Sequence, residues 1–149
     1  MDYTKGMTYA VLAAVAAALV GILGKAGMKG VNADLATALR SIAQAAAVVL
    51  FVTMTRLWSK LHTVHSTAAA MIVLSGLAGA ASWIFGFRAI QLIGVAKTAP
   101  IDKLSVPLAV VLAVTFLGER PSKINWLGVG LITIGAYLAA VQTGPSNSR

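Results

Sequence analysis

Asp102 and Lys103 stand side by side in a run from about Val95 to Leu117 that is otherwise almost wholly apolar, and Arg40 lies inside a second such run. A charge at the centre of a membrane helix costs roughly 2.5 to 3.5 kcal/mol on insertion scales, so such residues mark function by default. If the helix begins near Val95, Asp102 and Lys103 lie about 10 to 12 Å deep at 1.5 Å per residue. Arg40 shares a helix face with Thr37 and Gln44, at spacings of three and four. The two runs enter the membrane from the same side, so a pair or triad of Arg40, Asp102 and Lys103 is geometrically possible. A basic neighbour within about 4 to 6 Å favours the carboxylate form of Asp102, which could bind a cationic substrate or exchange a proton. Pro107 clashes with the carbonyl four residues earlier in a continuous helix and is expected to leave the Lys103 oxygen unpaired. Arg40, Gln44, Trp83, Asp102, Lys103 and Pro107 are the expected lining of a translocation pathway for a small molecule. The alternative is a buried ion pair that only fixes helix register.

Other chemistry has no anchor. There is no Cys, hence no disulfide and no thiolate. His62 and His65 lie two apart in a loop with no third ligand beside them, and no metal is expected there. No Gly-rich loop precedes a Lys-Ser or Lys-Thr pair, and no Ser, His and Asp set shares a site. The expectation is a protein that is not an enzyme and holds no cofactor.

The elements that position these residues follow from composition. Of 149 residues, 58% are hydrophobic and 11% charged, well below the quarter usual in soluble domains. A crossing needs about 20 apolar helical residues, so the length suits five spans with short connections. They are expected at about 7–24, 36–58, 67–91, 95–117 and 124–141, an all-α membrane protein of one five-helix domain over 1–149. Continuous runs favour helices, because a barrel strand would alternate in polarity. The first run resembles a signal peptide, but four more apolar runs follow it and no polar mature domain does. Asp34 is positioned to cap the second helix, Gly94 breaks spans three and four, and Gly118 to Ser122 turns the chain between the last two. The tail from Thr143 is polar.

Small residues recur in the third and fifth spans. Gly76 with Ala80, and Gly135 with Ala139, have the four-residue spacing that lets helix backbones approach, within a chain or between chains. These four and Gly128 are the expected helix-packing or dimer surface.

The last two spans also carry a resemblance. Ala99-Pro100, then Ile101 to Pro107, then Phe116-Leu117-Gly118-Glu119-Arg120-Pro121-Ser122 and Trp126-Leu127-Gly128-Val129-Gly130 resemble the EamA domain of the drug/metabolite transporter superfamily. Gly21, Lys25, Arg40 and Phe87-Arg88-Ala89-Ile90 agree with it, over about residues 7 to 142. Two departures stand out: Val20 occupies a place where the family often has Trp, and one such domain is present where typical members have two in inverted orientation. The resemblance implies a multi-pass transporter of the inner membrane that moves a small metabolite or drug by alternating access. Two copies would then reproduce the inverted repeat as a homodimer. Alternatives are one half of a heteromeric flippase for lipid-linked intermediates, and a membrane scaffold that transports nothing. The expected partners are a small-molecule substrate, the lipid bilayer and a second copy, with no nucleic acid.

The net charge of +8 concerns orientation rather than nucleic acid. With five spans, Lys5, Arg56, Lys60, Arg120 and Lys123 share one face; Lys25, Lys29, Arg88 and Arg149 share the other, joined by Lys97 if the fourth helix starts before it. Trp58 and Trp126 lie at span ends on the first face, as an aromatic belt requires. Five against four or five is nearly no bias: either a few residues decide, or the chain inserts both ways up. Reporters at the C-terminus, each active on one side of the membrane only, should both give signal. Signal from one side alone excludes an antiparallel pair.

Overall fold

A chain that enters hydrocarbon must satisfy its backbone hydrogen bonds within itself, and a helix does so segment by segment. The computed structural model describes residues 3–141. It contains α1 (Tyr3–Gly27), α2 (Ala33–Met54), a short 3-10 helix (Leu57–Thr63), α3 (Ser66–Ile93), α4 (Val95–Asp102), α5 (Ser105–Leu117) and α6 (Lys123–Ala140), with no strand among the described residues. α1, α2, α3, the joined α4 and α5, and α6 give five segments long and apolar enough to cross a membrane. The chain divides into two compact units, Met1–Leu92 and Ile93–Arg149.

In the first unit the ordered core gathers at one end. Met28, Ala33, Thr37, Phe87 and Ile90 are buried, whereas Leu12, Leu19, Leu50, Ile72 and Leu77 lie more than half exposed along the helices, as lipid-facing side chains do. The turn between α1 and α2 explains the location. Gly30 takes a left-handed φ of 74°, and Asn32 caps α2 by accepting from the N–H groups of Asp34 and Leu35 at 2.8 and 3.3 Å. The cap expected of Asp34 therefore belongs to Asn32, two residues earlier. Asp34 instead accepts two hydrogen bonds from Arg88 of α3, 2.7 Å from Nε and 2.8 Å from Nη2. Thr37 satisfies its buried hydroxyl by donating to the Ala33 carbonyl at 2.8 Å.

α2 stops at Met54 rather than near Trp58. Thr55 donates to the Phe51 carbonyl at 2.8 Å, and Arg56 then takes a left-handed conformation with φ 55°, which an α-helix cannot continue. Trp58 lies in the 3-10 helix and donates from Nε1 to the Thr53 hydroxyl at 2.9 Å.

In the second unit α6 packs against both α4 and α5, with Ala136 buried between helices. The span formed by α4 and α5 is broken at Lys103 and Leu104, and the break corrects an expectation. The Lys103 carbonyl is not left unpaired; it accepts from the Val106 N–H at 3.0 Å. Pro107 falls in the first turn of α5, where its missing N–H removes no helical bond. Gly118 ends α5 at a left-handed φ of 68°, and the Gly118 and Glu119 N–H groups both turn back to the Ala113 carbonyl, at 3.2 Å from Glu119. Ser122 caps α6 by accepting from the Asn125 N–H at 3.2 Å.

Close helix approach occurs at a glycine that spacing did not single out. A Cβ on Gly24 of α1 would lie 2.8 Å from Cζ of the buried Phe87 ring, whereas a Cβ on Gly76, Gly128 or Gly135 would meet nothing within 4 Å. Gly24→Ala should destabilise the chain by about 1 to 3 kcal/mol through overpacking. Gly76→Ala and Gly135→Ala should leave the fold of a single chain unchanged. Thermal unfolding of the three purified variants in detergent checks the contrast.

Candidate functional site

The C-terminal turns of α3 hold the densest set of polar and aromatic contacts in the first unit. A helix ends with carbonyls that lack intrahelical donors, and cations there are favourable. Lys25 of α1 donates from Nζ to the Ile90 carbonyl at 3.1 Å. Gln91 donates from Nε2 to the Val31 carbonyl at 3.1 Å, and Arg88 holds Asp34. The end of α1, the turn after it, the start of α2 and the end of α3 are thus tied by side chains that the apolar helix faces cannot supply.

One turn further along α2, Arg40 meets α3. Its guanidinium carbon lies 3.5 Å above the centroid of Trp83 and 5.6 Å from that of Phe87. Trp83 and Phe87, four residues apart on one helix face, meet edge to face with centroids 5.7 Å apart. A cation over an aromatic face is stabilised by about 0.5 to 2 kcal/mol, more as water is excluded. The stack satisfies the charge but not the donors, and Arg40 Nη1 is buried with no hydrogen-bond partner among the described residues.

Beside this stack is a cavity of about 410 Å³ lined by Arg40 and by apolar surface that includes Val20, Leu23, Leu39 and Phe87. Its volume is in the range of small-molecule pockets, about 300 to 1,000 Å³. Gly24 and Gly27 form part of the wall, and α1 presents bare backbone to Phe87 at Gly24. In the second unit a recess of about 530 Å³ lies at the turn between α5 and α6, beside Glu119, Arg120 and Asn125. Among the described residues it holds no buried side-chain donor lacking a partner.

Of the residues expected to line a pathway, Arg40 and Trp83 touch each other, and Arg40 lines the cavity. Gln44 is exposed one turn beyond Arg40. Asp102 and Lys103 lie at the end of α4 with Nζ 3.4 Å from Oδ2, both more than half exposed, and Pro107 is half-buried in α5. Gly76, Ala80, Gly135 and Ala139 are exposed, and Gly128 is half-buried beside the recess of the second unit. Gly24, Phe87, and the Asp34 and Arg88 pair are additions. The i, i+4 spacing of Trp83 and Phe87 was the available signal for an aromatic face. Nothing local marks Asp34 and Arg88 as partners, which lie 54 residues apart on α2 and α3.

The Asp34 and Arg88 pair carries a stability prediction. Asp34→Asn and Arg88→Gln should each lower the melting temperature, and the exchanged pair Asp34→Arg with Arg88→Asp should recover part of the loss. The recovery measures coupling separately from the cost of each single change.

The chain is similar over most of its length to a protein described as a transporter. It is 39% identical over 133 residues to a protein of Sinorhizobium sp. described as an uncharacterized transporter in the cobO 3' region, covering 89% of this chain and 94% of that one. No solved structure matches it. Residues 4–141 match the EamA-like transporter family, and with five membrane-length helices the chain is a multi-pass membrane protein belonging to that family.

Proposed function

We propose that the protein is a secondary transporter that carries a small metabolite or drug-like molecule by alternating access, acting as a dimer of five-helix subunits. The observation that carries this reading is Arg40: a cation seated inside a membrane-length helix, stacked on Trp83, and lining a small-molecule-sized cavity. A helix that only filled space would gain by having an apolar residue there, because the charge and its unpartnered N–H both oppose burial. Family membership and the transporter description of the Sinorhizobium relative support the same reading. Trp83 belongs to the pathway as the bed of Arg40.

Asp102 and Lys103, at the break in the fourth span, are proposed as a second polar station where the carboxylate exchanges a proton or meets a cation. The exposed small-residue faces at Gly76 and Ala80, and at Gly135 and Ala139, are proposed as the dimer surface, in antiparallel arrangement where the charge balance allows it.

Small molecules that raise the melting temperature of purified protein identify ligands of the folded state by mass action. Those ligands then serve as counterflow solutes in proteoliposomes. The wild-type chain should exchange them, whereas Arg40→Met should not, although its melting temperature stays unchanged or rises. Exchange by Arg40→Met at the wild-type rate removes Arg40 from the pathway. Crosslinking in intact membranes should trap a dimer that Gly135→Leu weakens, and full exchange by a monomer in nanodiscs defeats the dimer. Asp102→Asn should abolish the pH dependence of exchange while leaving expression intact.

A further inference from the structure

Arginine presents five N–H donors in a planar fork and no acceptor. An aromatic face attracts its charge but supplies no lone pair in the plane of that fork. In this chain Arg40 is held over Trp83 at 3.5 Å, its Nη1 is buried without a partner, and no hydrogen bond or ion pair engages it among the described residues. Asp34, on the same helix, is committed through both oxygens to Arg88. The cavity that Arg40 lines is otherwise apolar, with Leu23, Leu39 and Phe87 in its wall and no carboxylate. A cationic solute would find repulsion there and no counter-charge. A neutral apolar solute would leave the donors unused. A carboxylate or phosphate matches the fork in charge and in two-point geometry, and an alkyl or aromatic body matches the wall.

We propose that the cavity binds an amphipathic organic anion, its carboxylate or phosphate on Arg40 and its apolar body against Leu23 and Leu39. This deepens the transporter reading and rests on it for the identity of the cavity as a pathway. Phe87, buried within the wall, backs the Trp83 ring that holds the guanidinium. Trp83, in contact with Arg40, reports the event by its fluorescence.

The test uses the full chain in nanodiscs of phosphatidylcholine. Two of the three Trp are replaced by Trp58→Phe and Trp126→Phe, so that Trp83 alone emits. Titration with hexanoate and with hexyl phosphate should change the emission saturably. Hexanamide and hexylammonium, of the same length, should bind at least ten-fold more weakly. Arg40→Gln should lose at least ten-fold in hexanoate affinity, and Arg40→Lys should lie between. Isothermal titration of the wild-type chain with the same four solutes tests the order of affinities without any substitution. Equal or tighter binding of hexanamide or hexylammonium overturns the proposal. So does a Trp83 response to phosphatidylglycerol in the disc with none to hexanoate, which assigns the cavity to a lipid headgroup. Binding of hexanoate without its exchange in proteoliposomes overturns the transport reading and leaves the anion site standing. Exchange of a cation unaffected by Arg40→Gln overturns the anion site and leaves transport standing.

Discussion

Hydrocarbon offers no hydrogen bonds, and each polar group carried into it must bring its own partner. Most of this chain obeys that constraint by simple means. Thr8, Thr37, Thr53, Thr98, Thr115 and Thr133 each donate back to the carbonyl four residues earlier. Where the ladder breaks at Lys103 and Leu104, the next turn supplies Val106 to the Lys103 oxygen. Lys25 covers a carbonyl near the end of α3, and Gln91 covers one in the turn before α2. Against that background Arg40 stands apart: among the described residues its Nη1 is a buried side-chain donor without a partner, and its charge is matched by a ring. Native structures tolerate such a group where function requires it, because leaving a buried donor unpaired costs about 1 to 3 kcal/mol.

The same constraint explains where order is concentrated. Apolar helix faces in lipid gain little from one another, since lipid tails are as apolar as Leu. Polar ties between helices therefore decide the arrangement. In the first unit they cluster at the end where α1 hands over to α2 and α3 finishes, and the largest fully buried side chain, Phe87, is found there too. The opposite reaches of α1 and α2 carry large exposed apolar residues such as Leu12 and Leu50.

The spans were legible in the sequence because a continuous apolar run of membrane length has few other uses, and the turn at Gly118 because only a few residue types tolerate its φ. Three details were not legible, each for a physical reason. Asn32 and Asp34 are both good caps by type, and the choice between them follows from Arg88, a partner brought in by α3. Pro107 reads as an interior breaker or as a first-turn residue depending on where the helix restarts, and two turn residues at Lys103 and Leu104 settle that. Gly24 is one of 14 glycines, and nothing in its neighbourhood along the chain distinguishes it from Gly76. Arg40 and Asp102 stand out as interior charges from sequence alone, but the aromatic bed of Arg40 lies on another helix and needed the fold to find it.

The contact between Gly24 and Phe87 has an evolutionary consequence. The ring fills the space that a side chain at position 24 would occupy, with carbon atoms 2.8 and 3.0 Å from where a Cβ would sit. Volume at the two positions is thus held in common. A sequence that drifts to Ala or Ser at 24 loses stability unless the residue at 87 becomes smaller or reorients, and that second change alters the wall beside Arg40. Substitutions at this point of the α1 wall would then retune which solutes fit both directly and through position 87, so divergence in ligand preference among descendants of this chain could begin at a glycine.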